Sequence, residues 1–183
     1  MGCPVRLKDV ELKLISELMR NGRRSDRDLA KAIGVSQPTV SRLIKKLEKE
    51  GYIKEYTMIP DFCKLGYEIL ALTFFNLERE PNVEEIEKAR EIFRSPPQNS
   101  LLEVVMLERG MGLGYRGVIV SFHKDYQSYL KFRERLAQLD FWELSRIESF
   151  LISLVNEDRY LPLTFVSLAK HLLTLKRKRG NKR

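Results

Sequence analysis

Between Ser25 and Tyr56 the chain reads SDRDLAKAIGVSQPTVSRLIKKLEKEGYIKEY, and few folds accept that succession of signals. Ser25 opens a short amphipathic helix, with Asp28 three residues on in the capping-box position and Leu29, Ala32 and Ile33 on its apolar side. Gly34 then supplies the left-handed corner that lets two helices meet across a short turn. Ser36 starts the next helix, and Pro38 falls in its first turn, where a missing N–H costs nothing. Val40, Leu43, Ile44 and Leu47 form its inward stripe, closed by Gly51.

The outward side of that second helix carries Gln37, Thr39, Ser41, Arg42, Lys45, Lys46 and Lys49. Side chains near the helix start, from Ser36 onward, can hydrogen-bond base edges, and the cations further along suit phosphates. Taken alone, one such helix is ordinarily a solvated basic surface. Here a short helix and a glycine turn precede it, and the alternating run Tyr52 to Ile59 follows as a strand-like wing. Together they predict a winged helix-turn-helix with helix 37–50 in the major groove of double-stranded DNA. Arg23 and Arg24 at the preceding turn and Lys54 on the wing are further phosphate candidates. Upstream, Asp9 to Asn21 places Val10, Leu12, Ile15, Leu18 and Met19 at helical spacing, with Asp9 as N-cap and Gly22 as the stop.

These residues resemble the leucine-responsive regulatory protein/AsnC (Lrp/AsnC) family of transcription regulators. The likeness runs from Leu7 to Tyr67 through Asn21-Gly22-Arg23, Gly34-Val35-Ser36, Thr39-Val40-Ser41-Arg42, Leu47-Glu48, Gly51-Tyr52-Ile53 and Leu65-Gly66-Tyr67. Leu43 departs from it, standing where the family often has a second Arg. The resemblance implies a sequence-specific, dimeric DNA-binding regulator with an α+β module for dimerisation and effector sensing after the DNA-binding half.

The periodicity changes after Met58 to Lys64, a Pro-containing linker. Strand-like runs at Glu68–Leu77, Leu101–Leu107, Gly117–Phe122 and Ser149–Val155 alternate with amphipathic helices at Asn82–Arg94 and Tyr126–Leu139. Ser95-Pro96-Pro97 stops the first of those helices. The order β-α-β-β-α-β predicts a ferredoxin-like domain, so the fold class is α+β. The expected division is 1–60 for DNA binding, 61–67 as linker, 68–160 for the α+β domain, and 161–183 for a C-terminal helix and basic tail. The Gly-rich stretch from Gly110 to Gly117 reads as a long flexible hairpin, because a phosphate loop would have to open a helix. Gly112, Gly114 and Arg116 lie where the family resemblance implies effector contacts, although Arg116 replaces the expected acidic residue.

The formal charge of +8 is uneven across the 183 residues: residues 1–60 carry +5, 61–172 carry −3 and 173–183 carry +6. Beside DNA, the closing KRKRGNKR would add salt-sensitive, sequence-blind affinity. Leu161–Leu175 reads as a final helix packed on the second domain or on a partner subunit. Cys3 and Cys63 stand apart, so no disulfide framework or zinc site is written, and a reducing cytoplasm is expected. His123 and His171 lack a nucleophile or second ligand nearby and read as structural, and Phe141-Trp142 as a core or seam plug. No membrane segment, cofactor, metal site or catalytic constellation is expected. The expected partners are DNA and a homodimer or higher even oligomer, with a small-molecule effector left open. The alternatives are a helix-turn-helix assembly adaptor or a non-specific architectural DNA binder.

Overall fold

The computed structural model describes residues 7–94, 101–138, 144–156 and 160–180, with side chains described throughout these spans except at 92–94 and 175–180. The expected stop at Ser95-Pro96-Pro97 and the Phe141-Trp142 pair lie outside the described residues. The chain divides into two compact units, residues 1–59 with 160–183, and residues 60–159. It therefore leaves the first unit once and comes back to it.

Unit 1 holds α1 (Asp9–Arg20), α2 (Asp26–Ile33), α3 (Gln37–Lys49) and α6 (Val166–Gly180). Ser25 caps α2 as its sequence predicts, its hydroxyl accepting from the Asp28 N–H at 3.2 Å. Gly34 ends α2 in the left-handed region, φ 76°. The core joins Leu14 of α1, Leu29, Ala30 and Ile33 of α2, and Val40 and Leu47 of α3. Two expectations shift: Ala30 rather than Ala32, two residues away, is buried, and the cap of α1 is Lys8 rather than its neighbour Asp9. On α1 the fully buried positions are Glu11, Leu12, Leu14 and Ser16, because this helix is covered on two sides. Leu14 belongs to the core shared with α2 and α3, and Ser16 meets α6.

Residues 53–61 form no helix or strand, so the expected strand-like wing is a segment without a ladder partner among the described residues. Side chains anchor it instead: Ile53 packs on the unit 1 core, and the Tyr56 hydroxyl donates to Glu48 Oε1 at 3.1 Å. The final helix starts at Val166, not Leu161. Pro162 keeps Leu161 out of the helical region, and Thr164 Oγ1 takes up the Val166 N–H at 3.2 Å. It packs against α1 within unit 1 rather than on unit 2.

Unit 2 contains β1 (Ile69–Leu77), α4 (Val83–Arg94), β2 (Val104–Gly112), β3 (Tyr115–His123), α5 (Tyr126–Ala137) and β4 (Leu144–Ser153). The strands form one antiparallel sheet in the order β2-β3-β1-β4, which with the two helices is the expected ferredoxin-like arrangement. Asn82 and Glu85 cap α4 reciprocally, each backbone N–H donating to the other's side chain at 2.9 Å. Asp125 caps α5 by accepting from the Ser128 N–H at 2.6 Å.

One sheet face carries the core: Ala71 and Phe75 of β1 and Ile119 of β3 against Tyr129, Phe132 and Leu136 of α5. His123 ends this row, buried beside the Tyr129 and Phe132 rings with Nε2 2.8 Å from Ser121 Oγ, and burial pushes its imidazole down so that it stays neutral. Gly117 lies opposite Phe75 in register, and a Cβ there would stand 2.3 Å from the Phe75 ring. Gly117→Ala should therefore cost about 1–3 kcal/mol by overpacking. Chemical denaturation reads this out, and Phe75→Leu in the same chain should recover part of the loss.

The Gly-rich connection is not a long loop. Strands β2 and β3 run into it until Gly112 pairs with Tyr115, leaving the two-residue turn Leu113-Gly114. Both turn residues have positive φ, 54° and 77°, the geometry whose twist matches antiparallel strands. Leucine is an unusual occupant there, which is why the sequence hides the turn.

Candidate nucleic-acid interface

The local charge is built into the fold. Unit 1 carries 20 Lys and Arg against 8 Asp and Glu, whereas unit 2 carries 13 against 17. The positive field thus belongs to the unit with the helix-turn-helix.

Helix α3 turns Val40, Leu43, Ile44 and Leu47 inward as expected. Gln37, Arg42, Lys45 and Lys49 are exposed and, among the described residues, make no ion pair; the same holds for Arg23 and Lys54. Ser36 Oγ and Thr39 Oγ1 are hydrogen-bonded to each other at 2.8 Å at the helix start. The first turn of α3 is thus polar and uncharged, while its later turns carry cations available to an anion.

Three of the sequence-predicted contacts are engaged within the unit instead. The Ser41 hydroxyl bonds the Asp26 carboxylate at the start of α2, which fixes the angle between the two helices. Arg24 pairs with Glu17 of α1 and donates to the Asp28 carbonyl at 3.3 Å. Lys46 Nζ sits 2.6 Å from Glu11 Oε1 and 3.8 Å from Glu50 Oε1. The Glu11 side chain is only 2% exposed. Its second oxygen accepts the Lys8 N–H at 2.7 Å.

Burial by itself would raise the Glu11 carboxyl, but the Lys46 hydrogen bond and the Lys8 N–H more than reverse it and hold it below the ordinary carboxylate range. The Glu11 hydrogen bond raises Lys46 in turn, against the opposing effect of burial. The sequence signal for this pair was Glu11 itself. It falls three residues before Leu14 and seven before Leu18, on a row that otherwise faces the core. A carboxylate there needs a cation, but the cation is 35 residues away and no local spacing could name it.

Of the effector candidates, Gly112 closes β2 and Gly114 forms the hairpin tip, where its carbonyl accepts from Asn76 Nδ2 at 3.0 Å. Arg116 is bonded to Glu80 Oε1 at 2.6 Å, and Arg109 holds the other oxygen of Glu80 at 2.5 Å. The two arginines thus share one carboxylate supplied by the chain itself. No helix among the described residues is long and apolar enough to cross a membrane.

Residues 7–54 match the model of a winged helix-turn-helix DNA-binding family. Over 124 residues the chain is 31% identical to an HTH-type transcriptional regulator of Pyrococcus furiosus, covering 68% of this chain and 79% of that one. Over 76 residues it is 32% identical to the leucine-responsive regulatory protein of Rhizobium meliloti, covering 42% of this chain and 49% of that one. The chain spans about half the length of several curated relatives it matches, this one among them. In fold it is similar to AsnC of E. coli, with a TM-score of 0.63 at 18% identity over 86% of this chain and 97% of that one.

Proposed function

We propose, because this chain belongs to the leucine-responsive regulatory protein/AsnC family of transcription regulators, that it is a dimeric, sequence-specific DNA-binding regulator whose helix α3 enters the major groove. The observation that carries this reading is the outward side of α3, where Gln37, Arg42, Lys45 and Lys49 are exposed on a packed helix set by the Gly34 corner. Gln37 and Thr39 in the first turn, with Arg42 one turn on, are within a side chain's reach of base edges. Lys45, Lys49, Arg23 and Lys54 are assigned to phosphates. Ser41, Arg24 and Lys46 are assigned to orienting the helix instead, on the strength of their bonds to Asp26, Glu17 and Glu11.

Dimerisation through unit 2 is supported by the sheet face opposite α5. Phe150 and Met106 are exposed there, and Leu72 and Val120 lie between them in register. Two copies joined in this way would present two α3 helices to half-sites about 34–36 Å apart on one face of the duplex. An effector contact at Gly112, Gly114 and Arg116 would have to compete with Glu80, which already occupies Arg116.

The test is selection of bound duplexes from a random pool followed by titration of variants. Arg42→Ala should weaken the selected site by about 1–3 kcal/mol and relax the choice of base at one position per half-site. Equal affinity for selected and scrambled duplexes would favour an architectural binder. No retention on duplex DNA at about 0.15 M salt would favour an assembly adaptor.

A further inference from the structure

We infer that Tyr56 and Phe62 pin the connection between the two units at its two ends and so make the protein selective for the spacing of its half-sites; this rests on the reading above of a dimer with one α3 per half-site. The pin on unit 2 is a compact turn. From Asp61 to Tyr67 the chain is held by backbone bonds, among them Gly66 N–H to the Cys63 carbonyl at 2.9 Å and Tyr67 N–H to the Phe62 carbonyl at 3.0 Å. Gly66 takes the left-handed conformation this turn needs, φ 84°. Two aromatics then close on the sheet. Phe62 stacks on Phe122 of β3 with ring centroids 3.9 Å apart, and Tyr67 meets both rings edge-on at 6.3 and 6.1 Å. Ring burial of this kind ties the turn to β3, so residues 61–67 move with unit 2.

The pin on unit 1 is Tyr56, whose hydroxyl is bonded at 3.1 Å to Glu48 of α3 itself. Between the pins lie Thr57, Met58, Ile59 and Pro60, the first three exposed, and then Asp61 at the start of the turn. Pro60 fixes its own φ and confines Ile59 to extended backbone, which stiffens half of this short crossing. From Tyr56 to Phe62 the backbone spans about 20 Å at most. The chain crosses between the units a second time, but there ten residues, 155–164, separate Leu154, whose N–H is bonded to the Glu68 carbonyl at 2.7 Å, from Phe165 at the foot of α6. That crossing is the looser, so the short one sets the reach of each reading unit. A duplex completes one turn in about 10 base pairs, and adding half a turn between two half-sites carries one of them to the opposite face. A reading unit on a short, stiff connection cannot follow, and the affinity gained by engaging both half-sites at once is lost.

The experiment uses the full chain and a series of duplexes in which base pairs are added one at a time between two selected half-sites. Adding about five should weaken the parent about 100-fold, to the level of a single half-site. Phe62→Ala, which releases the turn, should bind the best spacing less tightly than the parent and lose no more than about 10-fold over the same change. A second variant, with Gly-Ser-Gly-Ser inserted between Met58 and Ile59, keeps both pins and should broaden the profile in the same way. Both should match the parent on a single half-site. A parental profile in the insertion variant overturns the short connection as the source of selectivity and leaves the dimeric reading standing. A broadened insertion variant beside a parental Phe62→Ala overturns Phe62 as a pin. A parent that favours two half-sites over one but ignores their spacing overturns the inference outright. If the parent binds one half-site as tightly as two, the dimeric reading falls and this inference falls with it.

Discussion

Lys46→Met should lower the unfolding temperature of unit 1 and leave the ranking of DNA sequences unchanged. Lys46 stands on the outward side of the recognition helix, and its charge invites assignment to a phosphate. Its ammonium is already bonded to Glu11, a carboxylate that is almost entirely inaccessible. Methionine keeps most of the length of the side chain but leaves that carboxylate with one backbone N–H and without its bonded counter-charge. Breaking one partner of such a pair is far more damaging than removing both, because the cost lies in the buried charge left behind. The double variant Glu11→Gln with Lys46→Met should therefore be more stable than Lys46→Met alone.

The pH dependence follows from the sign of the shift. Glu11 is held below its ordinary value in the folded chain, so its stabilisation is fully present above the unfolded value and is lost as pH falls through the folded one. Lys46 is raised, so its share persists below its unfolded value and disappears only as pH climbs through the higher folded one. The stability difference between parent and Lys46→Met should thus be flat near neutrality and shrink in acid. Thermal unfolding followed across that range reads it out. A variant that melts like the parent and binds every duplex more weakly would return Lys46 to the phosphate backbone and sink the structural assignment.

The same pair shows where sequence reasoning reaches its limit. Local signals were legible because their physics is local: the Ser25 cap, the Gly34 corner and the inward stripe of α3 are each decided within a few residues. The strand and helix order of unit 2 was legible because periods of 2 and 3.6 are distinct. What could not be read was pairing across the chain. Ser41 with Asp26, Lys46 with Glu11 and Ser16 with the Ala169 carbonyl join groups 15, 35 and 153 residues apart.

The C-terminal helix meets α1 rather than the second domain, a pairing of the same long-range kind. Its apolar residues announced that something must cover it, but not that α1 already carried a buried serine awaiting a bond. The hairpin failed differently: four glycines between Gly110 and Gly117 look like slack, yet only the turn at 113–114 is loop. Gly117 is a clearance for Phe75 inside the sheet, a constraint that shows only once the register is known.

Phe150→Asp should separate the dimer proposed above into monomers. In the single chain Phe150 is 64% exposed, so the substitution gives up little packing within the protomer and should leave its folded stability nearly unchanged. Its surroundings make the position decisive for association. Phe150 pairs with Leu72, Leu72 pairs with Val120, and Val120 pairs with Met106, giving an apolar row across all four strands. Phe150 stands at the β4 end of this row and is its one aromatic; a large exposed aromatic is a frequent seat of a binding hot spot, and a carboxylate in its place would have to be desolvated without a partner.

The expected loss is at least about 2 kcal/mol, or some 30-fold in the dimer dissociation constant. Light scattering across a dilution series should show the mass falling toward the 21.5 kDa of one chain. Affinity for a two-half-site duplex should fall further than with Arg42→Ala, while affinity for a single half-site should be unaffected. That second comparison separates a broken interface from a damaged DNA surface, since α3 lies in unit 1 and Phe150 in unit 2. If Phe150→Asp kept the mass of the parent at every dilution, the open face of the sheet would not be where two copies meet.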